Sequence, residues 1–74
     1  MTRAMPGATY ILRFTRRDSS EIEEQEHSRL DEAWKTFKLF AEPDSSEIYR
    51  RIELREIDWD THGEKTLARM TFPA

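Results

Sequence analysis

Apolar and polar positions alternate along this chain in two different rhythms. From Ala8 to Arg16, Tyr10, Leu12 and Phe14 alternate with Thr9, Ile11, Arg13 and Thr15, a period of two that predicts a β-strand with the first set on a core. Arg17-Asp18-Ser19-Ser20 then reads as a turn. Between Ser28 and Glu42 the rhythm changes. Leu30, Ala33, Trp34, Phe37, Phe40 and Ala41 recur at steps of three and four and share one stripe of a helix. Ser28 is placed to cap that helix, Asp31 and Glu32 suit its first turn, Asp31 stands four residues before Lys35, and Pro43 ends it.

The period of two returns after the helix. Pro43-Asp44-Ser45-Ser46 is a connector, in which Asp44 and Glu47 have the spacing to start a single helical turn. In Ile48 to Asp60, Ile48, Ile52 and Leu54 keep one phase while Ile57 and Trp59 keep the other. A bulge near Arg55-Glu56 would bring both sets to one face; without it, Ile57 and Trp59 form a contact patch on the far face. Asp60-Thr61-His62-Gly63 reads as a hairpin loop closed by Gly63 in left-handed angles, and Glu64 to Phe72 as the last strand. The stretch Glu21 to His27 has Ile22 as its one large apolar residue; it reads as a strand paired back onto residues 8–16, acidic because it forms a sheet edge. The order is ββαββ: an α+β domain with a single helix packed on a three- or four-stranded antiparallel sheet. Residues 1–7 form a loose arm and 8–74 the one domain. Its core is expected to hold Tyr10, Leu12, Phe14, Leu30, Trp34, Phe37, Phe40, Ile52, Leu54 and Met70.

Composition narrows the function more by exclusion than by signal. Seventy-four residues lie near the lower limit for a self-sufficient core, and without cysteine no disulfide or thiolate metal site supports it. No apolar run approaches a membrane span, and the N-terminus lacks the apolar segment of a signal peptide, so a cytoplasmic protein without membrane contact is expected. The net charge of −3 is unevenly spread. Residues 18–32 carry seven acids against Arg29 alone, a balance of −6, which leaves +3 on the remainder.

Catalytic chemistry has few residues to draw on. Asp58, Asp60 and His62 alternate as metal ligands could, but these are also turn residues. Only two glycines are present, which rules out a glycine-rich phosphate loop. No enzyme, cofactor or metal is expected. The acids Glu21, Glu23, Glu24 and Glu26 form a docking strip for a basic surface, or a solvated edge. If Ile52 and Leu54 face the helix, Tyr49, Arg51, Glu53 and Arg55 face away, and Arg13 and Arg69 join them. That face is either a single-stranded nucleic-acid platform or a ladder of arginines paired with glutamates, and the acidic total favours the ladder. Leu39 falls opposite the apolar stripe and is a candidate anchor for a partner, as is Trp59. Two copies packed sheet to sheet or edge to edge, making a homodimer, give a third use of the same surface.

TYILRFTRR, LDEAWKTFKLFAEPDSSEIYRRIEL and the closing DWDTHGEKTLARMTF resemble, in size and pattern, the small hairpin–helix–hairpin accessory proteins encoded by phages and integrative elements. That group includes some anti-CRISPR inhibitors. The resemblance implies a short, non-catalytic protein that binds another protein, a host defence nuclease complex that itself handles nucleic acid. It assigns no site residue.

Overall fold

The helix α1, Leu30–Phe40, crosses one face of a four-stranded antiparallel sheet in a computed structural model that describes residues 7–73. The strands are β1 (Ala8–Arg16), β2 (Ile22–His27), β3 (Tyr49–Asp58) and β4 (Gly63–Thr71), and their order across the sheet is β2-β1-β3-β4. Two local hairpins are thus joined through β1 and β3, and α1 carries the chain over from the β2 edge to β3. The expected α+β fold is present with all four strands, and of the arm expected at residues 1–7, residues 1–6 lie outside the described residues. Gly7 belongs with the sheet, because its carbonyl accepts the Trp59 N–H at 2.9 Å.

The core is the seam between α1 and the two central strands. Leu12, Phe14, Ile52 and Leu54 come from the sheet, Ala33 and Phe37 from the helix, and Phe72 from the segment after β4. Leu12 lies opposite Leu54 and Phe14 opposite Ile52, so the alternation in each strand delivers its large residues to one patch. Trp34, Phe40, Tyr10, Leu67 and Ala68 pack around this centre half-buried. Two expected core residues are corrected. Leu30 is 38% exposed, at the first position of α1, and Met70 is 37% exposed, because α1 lies over β1, β3 and β2 and leaves β4 at the margin.

Several local expectations also change. The residue before α1 is Arg29 rather than Ser28, and no side chain caps the helix. Instead the Arg29 guanidinium grips Asp31 (2.9 Å) and reaches Glu32 (4.0 Å), so Asp31 pairs backwards and not with Lys35. The single turn after α1 is a 3-10 turn over Pro43–Glu47, begun from Glu42 rather than Asp44. In the β3–β4 loop the left-handed residue is His62 (φ 58°), not Gly63. A Cβ on Gly63 would stand 3.0 Å from Thr61 Oγ1, a tight approach that the Thr61 side chain would have to yield to.

Two irregularities set which side chain faces where. Thr15 pairs with Arg51, but Arg16 pairs with Tyr49, so Arg50 is an extra residue in β3. That bulge turns Tyr49 to the helix side, where its ring lies 5.2 Å from Phe14 and 6.4 Å from Phe40. The second bulge is near the expected place but on the other strand. Leu54 pairs with Ala68 and Arg55 with Thr66, which leaves Leu67 of β4 as the extra residue. From Arg51 to Asp58, β3 keeps strict alternation, so Ile57 stays on the face away from α1, opposite Thr9.

Arg17 closes one end of the sheet. Its backbone N–H donates to the Ile48 carbonyl at 2.8 Å, its Nε to the Ser46 carbonyl at 2.6 Å and an Nη to the Pro73 carbonyl at 2.8 Å. The β1–β2 turn, the 3-10 turn and the C-terminal segment are held by this one residue.

Phe37 sits over the seam and is buried, while Trp34 beside it is half-exposed with its ring 5.6 Å away. Phe37→Ala is therefore expected to cost ~3–5 kcal/mol, and Trp34→Ala clearly less. Urea denaturation followed by circular dichroism measures both; a larger loss at Trp34 would mean the helix is rotated from this position.

Candidate protein-binding surface

The face of the sheet away from α1 is built in rows, because antiparallel register sets one residue of each strand beside the next. One row runs Glu24, Arg13, Glu53, Arg69 across β2, β1, β3 and β4, an alternation of charge over the whole sheet. Arg13 Nε donates to Glu24 at 2.8 Å, and Arg69 donates from Nε to Glu53 at 3.0 Å with its Nη2 2.9 Å from the same oxygen. Glu53 is only 6% exposed, and its charge is tolerable there because Arg69 bonds it and Arg55 stands 3.9 Å away. The next row is Glu26, Ile11, Arg55 and Thr66, in which Arg55 donates to Thr66 (3.2 Å) and to Glu64 (2.7 Å). On the other side lie Ile22, Thr15, Arg51 and Thr71, with the Arg51 Nε buried and without a hydrogen-bond partner among the described residues.

Three of the four arginines of this face therefore form a paired ladder rather than an open basic platform, while Arg51 makes no ion pair among the described residues. Arg13, Arg55 and Arg69 each hold a glutamate, and Tyr49, expected among them, faces the opposite side. At the end of the face nearest the β3–β4 loop, Ile57 lies across from Thr9. Trp59 follows in the loop, about half-exposed, its indole N–H donating to Thr9 Oγ1 at 2.6 Å.

The acidic strip divides between the two faces. Glu23 points to the helix side, where Arg16 bonds it at 3.3 Å and the Tyr49 hydroxyl donates to it at 3.3 Å. Burial and the nearby Glu23 charge push the Tyr49 phenol above its ordinary pKa, and burial and Glu56 do the same for Tyr10. Glu24 and Glu26 belong to the open side. Glu21 precedes the strand and its carbonyl accepts the Arg16 N–H at 3.1 Å. Among the described residues, neither Glu21 nor Glu26 pairs with a base. Leu39 stands 71% exposed on the outer side of α1, remote from both the ladder and the strip. The nine candidate residues therefore form no single site. Glu24, Glu26, Arg51 and Arg55 share the open face with Trp59 at its end, Glu21 adjoins them at the β2 edge, Glu23 and Tyr49 meet on the helix side, and Leu39 stands apart on α1.

Two further features have chemical interest. A shallow hollow beside α1 is lined by Asp31, Trp34, Lys35 and Lys38, and another by Tyr10, Ser28, Glu56, Asp58 and Asp60 among others. Asp58 accepts the Asp60 N–H at 2.9 Å and Thr61 the Gly63 N–H at 3.2 Å, so these residues shape the turn. Among the described residues no three acids or histidines gather closely enough to hold a metal ion, and no helix is long and apolar enough to cross a membrane. Compared with known proteins, the chain matches no family model, no curated protein and no solved structure.

Two measurements follow from these contacts. Arg69→Ala leaves the buried Glu53 carboxylate without its charge-assisted bonds and should cost ~1–3 kcal/mol, whereas Arg13→Ala removes a partly exposed pair and should cost under about 1 kcal/mol. Equal losses in urea denaturation would show that Glu53 does not depend on Arg69. For the tyrosines, a phenol whose folded pKa is raised contributes stability that is whole below its unfolded value, 10.0, and is lost as the pH climbs through the higher folded value. Stability should fall above pH 10.0, and Tyr49→Phe should flatten that fall. An unchanged alkaline slope in the variant would count against the Tyr49–Glu23 contact.

Proposed function

We propose that this chain is a non-enzymatic protein-binding module that engages a basic protein surface through β2 and its acids. The observation that supports this reading is the position of β2. It is an outermost strand, exposed from Ile22 to Glu26, with Glu23, Glu24 and Glu26 on it and Glu21 at its start. A concentrated anionic edge on a rigid sheet steers a cationic partner and fixes its orientation. The resemblance to accessory proteins of mobile elements makes the partner a host defence nuclease, whose basic nucleic-acid channel the module occupies. Such an inhibitor works by occlusion and needs neither cofactor nor chemistry.

Binding of single-stranded nucleic acid to the open face is the weaker reading. A strand lying there would have to displace Glu24, Glu64 and Glu53 from Arg13, Arg55 and Arg69, and would find no tyrosine on which to stack.

The test uses the two acids that no base neutralises among the described residues. Wild-type chain immobilised on resin should retain a purified RNA-guided defence nuclease at low salt, with retention falling steeply as salt rises. The double variant Glu21→Lys, Glu26→Lys should keep its melting behaviour and lose retention by at least about tenfold. Equal retention of parent and variant would remove β2 from the reading. Failure of the parent to retain or inhibit any such nuclease would remove the proposed partner.

A further inference from the structure

We infer that β2 accepts a strand: an extended basic segment of the partner pairs with the outer edge of β2 and continues the sheet. This rests on the proposed function and narrows the partner from a basic surface to a basic extended chain. The carrying observation is the direction of the backbone hydrogen bonds. In an antiparallel ladder, successive residues bond alternately to one neighbour and to the other side. The bond from Arg16 N–H to Glu21 O marks Arg16 and Glu21 as a bonded pair, so Glu23, Gln25 and His27 turn their backbone groups towards β1. Ile22, Glu24 and Glu26 turn theirs outward. The other side of β1 agrees. The bond from Trp59 N–H to Gly7 O gives Thr9, Ile11, Arg13 and Thr15 to β3, which leaves Tyr10, Leu12 and Phe14 for β2. Among the described residues nothing pairs with the outer side of β2.

The two edges of the sheet are unlike. On β4 the extra residue Leu67 breaks the outer row of backbone groups, the kind of irregularity that protects an edge from other strands. On β2 the register runs without a break from His27 to Ile22 and contains no proline. Charge alone guards it, and charge selects rather than blocks. A second copy paired β2 to β2 would set the same glutamates against each other, a like-charge arrangement that opposes a two-fold dimer. A basic strand meets the opposite situation on both faces. Side chains on its one face approach Glu26, which no base holds among the described residues, and Glu24, which they would share with Arg13; those on the other approach Glu23, shared with Arg16. Main-chain bonds supply the pairing and the glutamates the preference for lysine or arginine.

The probe is a capped synthetic peptide of about eight residues, alternating lysine and threonine, titrated into the full chain and followed by NMR amide exchange. Exchange should slow at Ile22, Glu24 and Glu26 and change little at Glu23 and Gln25, whose amides already bond to β1. The same peptide with alternate backbone nitrogens methylated keeps every charge and should bind at least about tenfold more weakly. In the chain, Glu26→Pro removes an outward N–H as well as the charge, and should weaken binding beyond Glu26→Gln, which removes the charge alone; thermal melts confirm that both variants fold. Equal binding of the methylated peptide, equal effects of the two substitutions, or no binding of the unmethylated peptide would each overturn strand addition. Sensitivity of the nuclease to Glu21→Lys, Glu26→Lys would then still stand, so the two ideas fail separately.

Discussion

The antiparallel pairing of β1 with β3 is the constraint on which the rest of this molecule depends. It joins two hairpins that are otherwise separate, and it assembles Leu12, Phe14, Ile52 and Leu54 into the one patch broad enough for α1. Loss of that patch would leave an acidic hairpin, an isolated helix of 11 residues and a second hairpin, none of which is stable alone in water. The pairing is also the least local in the fold, reaching from Ala8 to Asp58, so its closure entropy must be overcome before the helix gains its contacts.

A sheet covered on one side has to make its other side compatible with water. This chain does so with the ladder of Glu24, Arg13, Glu53 and Arg69, flanked by Arg55 and Thr66. Thr15 on this side is buried even though no second layer lies above it among the described residues. Charges committed to one another in this way are less available to a ligand. That places the uncommitted acids of the β2 edge, not the centre of the face, at the front of the functional reading.

Much of this was legible from residue order, and what was not has identifiable causes. Alternation in Ala8 to Arg16 and the three-and-four spacing from Leu30 to Phe40 are local signals, and both elements stand where those signals put them. The conflict of phase between Leu54 and Ile57 was visible too, but its resolution was not. A bulge belongs to a pair of strands, and the extra residue fell on β4 at Leu67. Tyr49 was misplaced for the same reason, since the extra Arg50 that turns it inward exists only relative to Arg16. Ser28 looked like a cap because of its type; Arg29 and its acids took over the helix start. The glutamate–arginine ladder was already the favoured of two readings on charge alone, yet which arginine meets which glutamate required the strand order, a property of contacts far apart in sequence.

The Arg17 contacts give the two ends of the sheet different mechanical character. At one end a single planar guanidinium spans carbonyls contributed by Ser46 and Pro73 while the same residue's backbone holds Ile48. A lysine offers a point charge without that fork and could not bridge them in the same way. The three segments therefore form a joint with little independent play. Among the described residues, the opposite end is fastened through Trp59 to Thr9 and Gly7. A load applied along the strands would have to part all three Arg17 contacts together before the β1–β2 turn, the 3-10 turn and the C-terminal segment could separate.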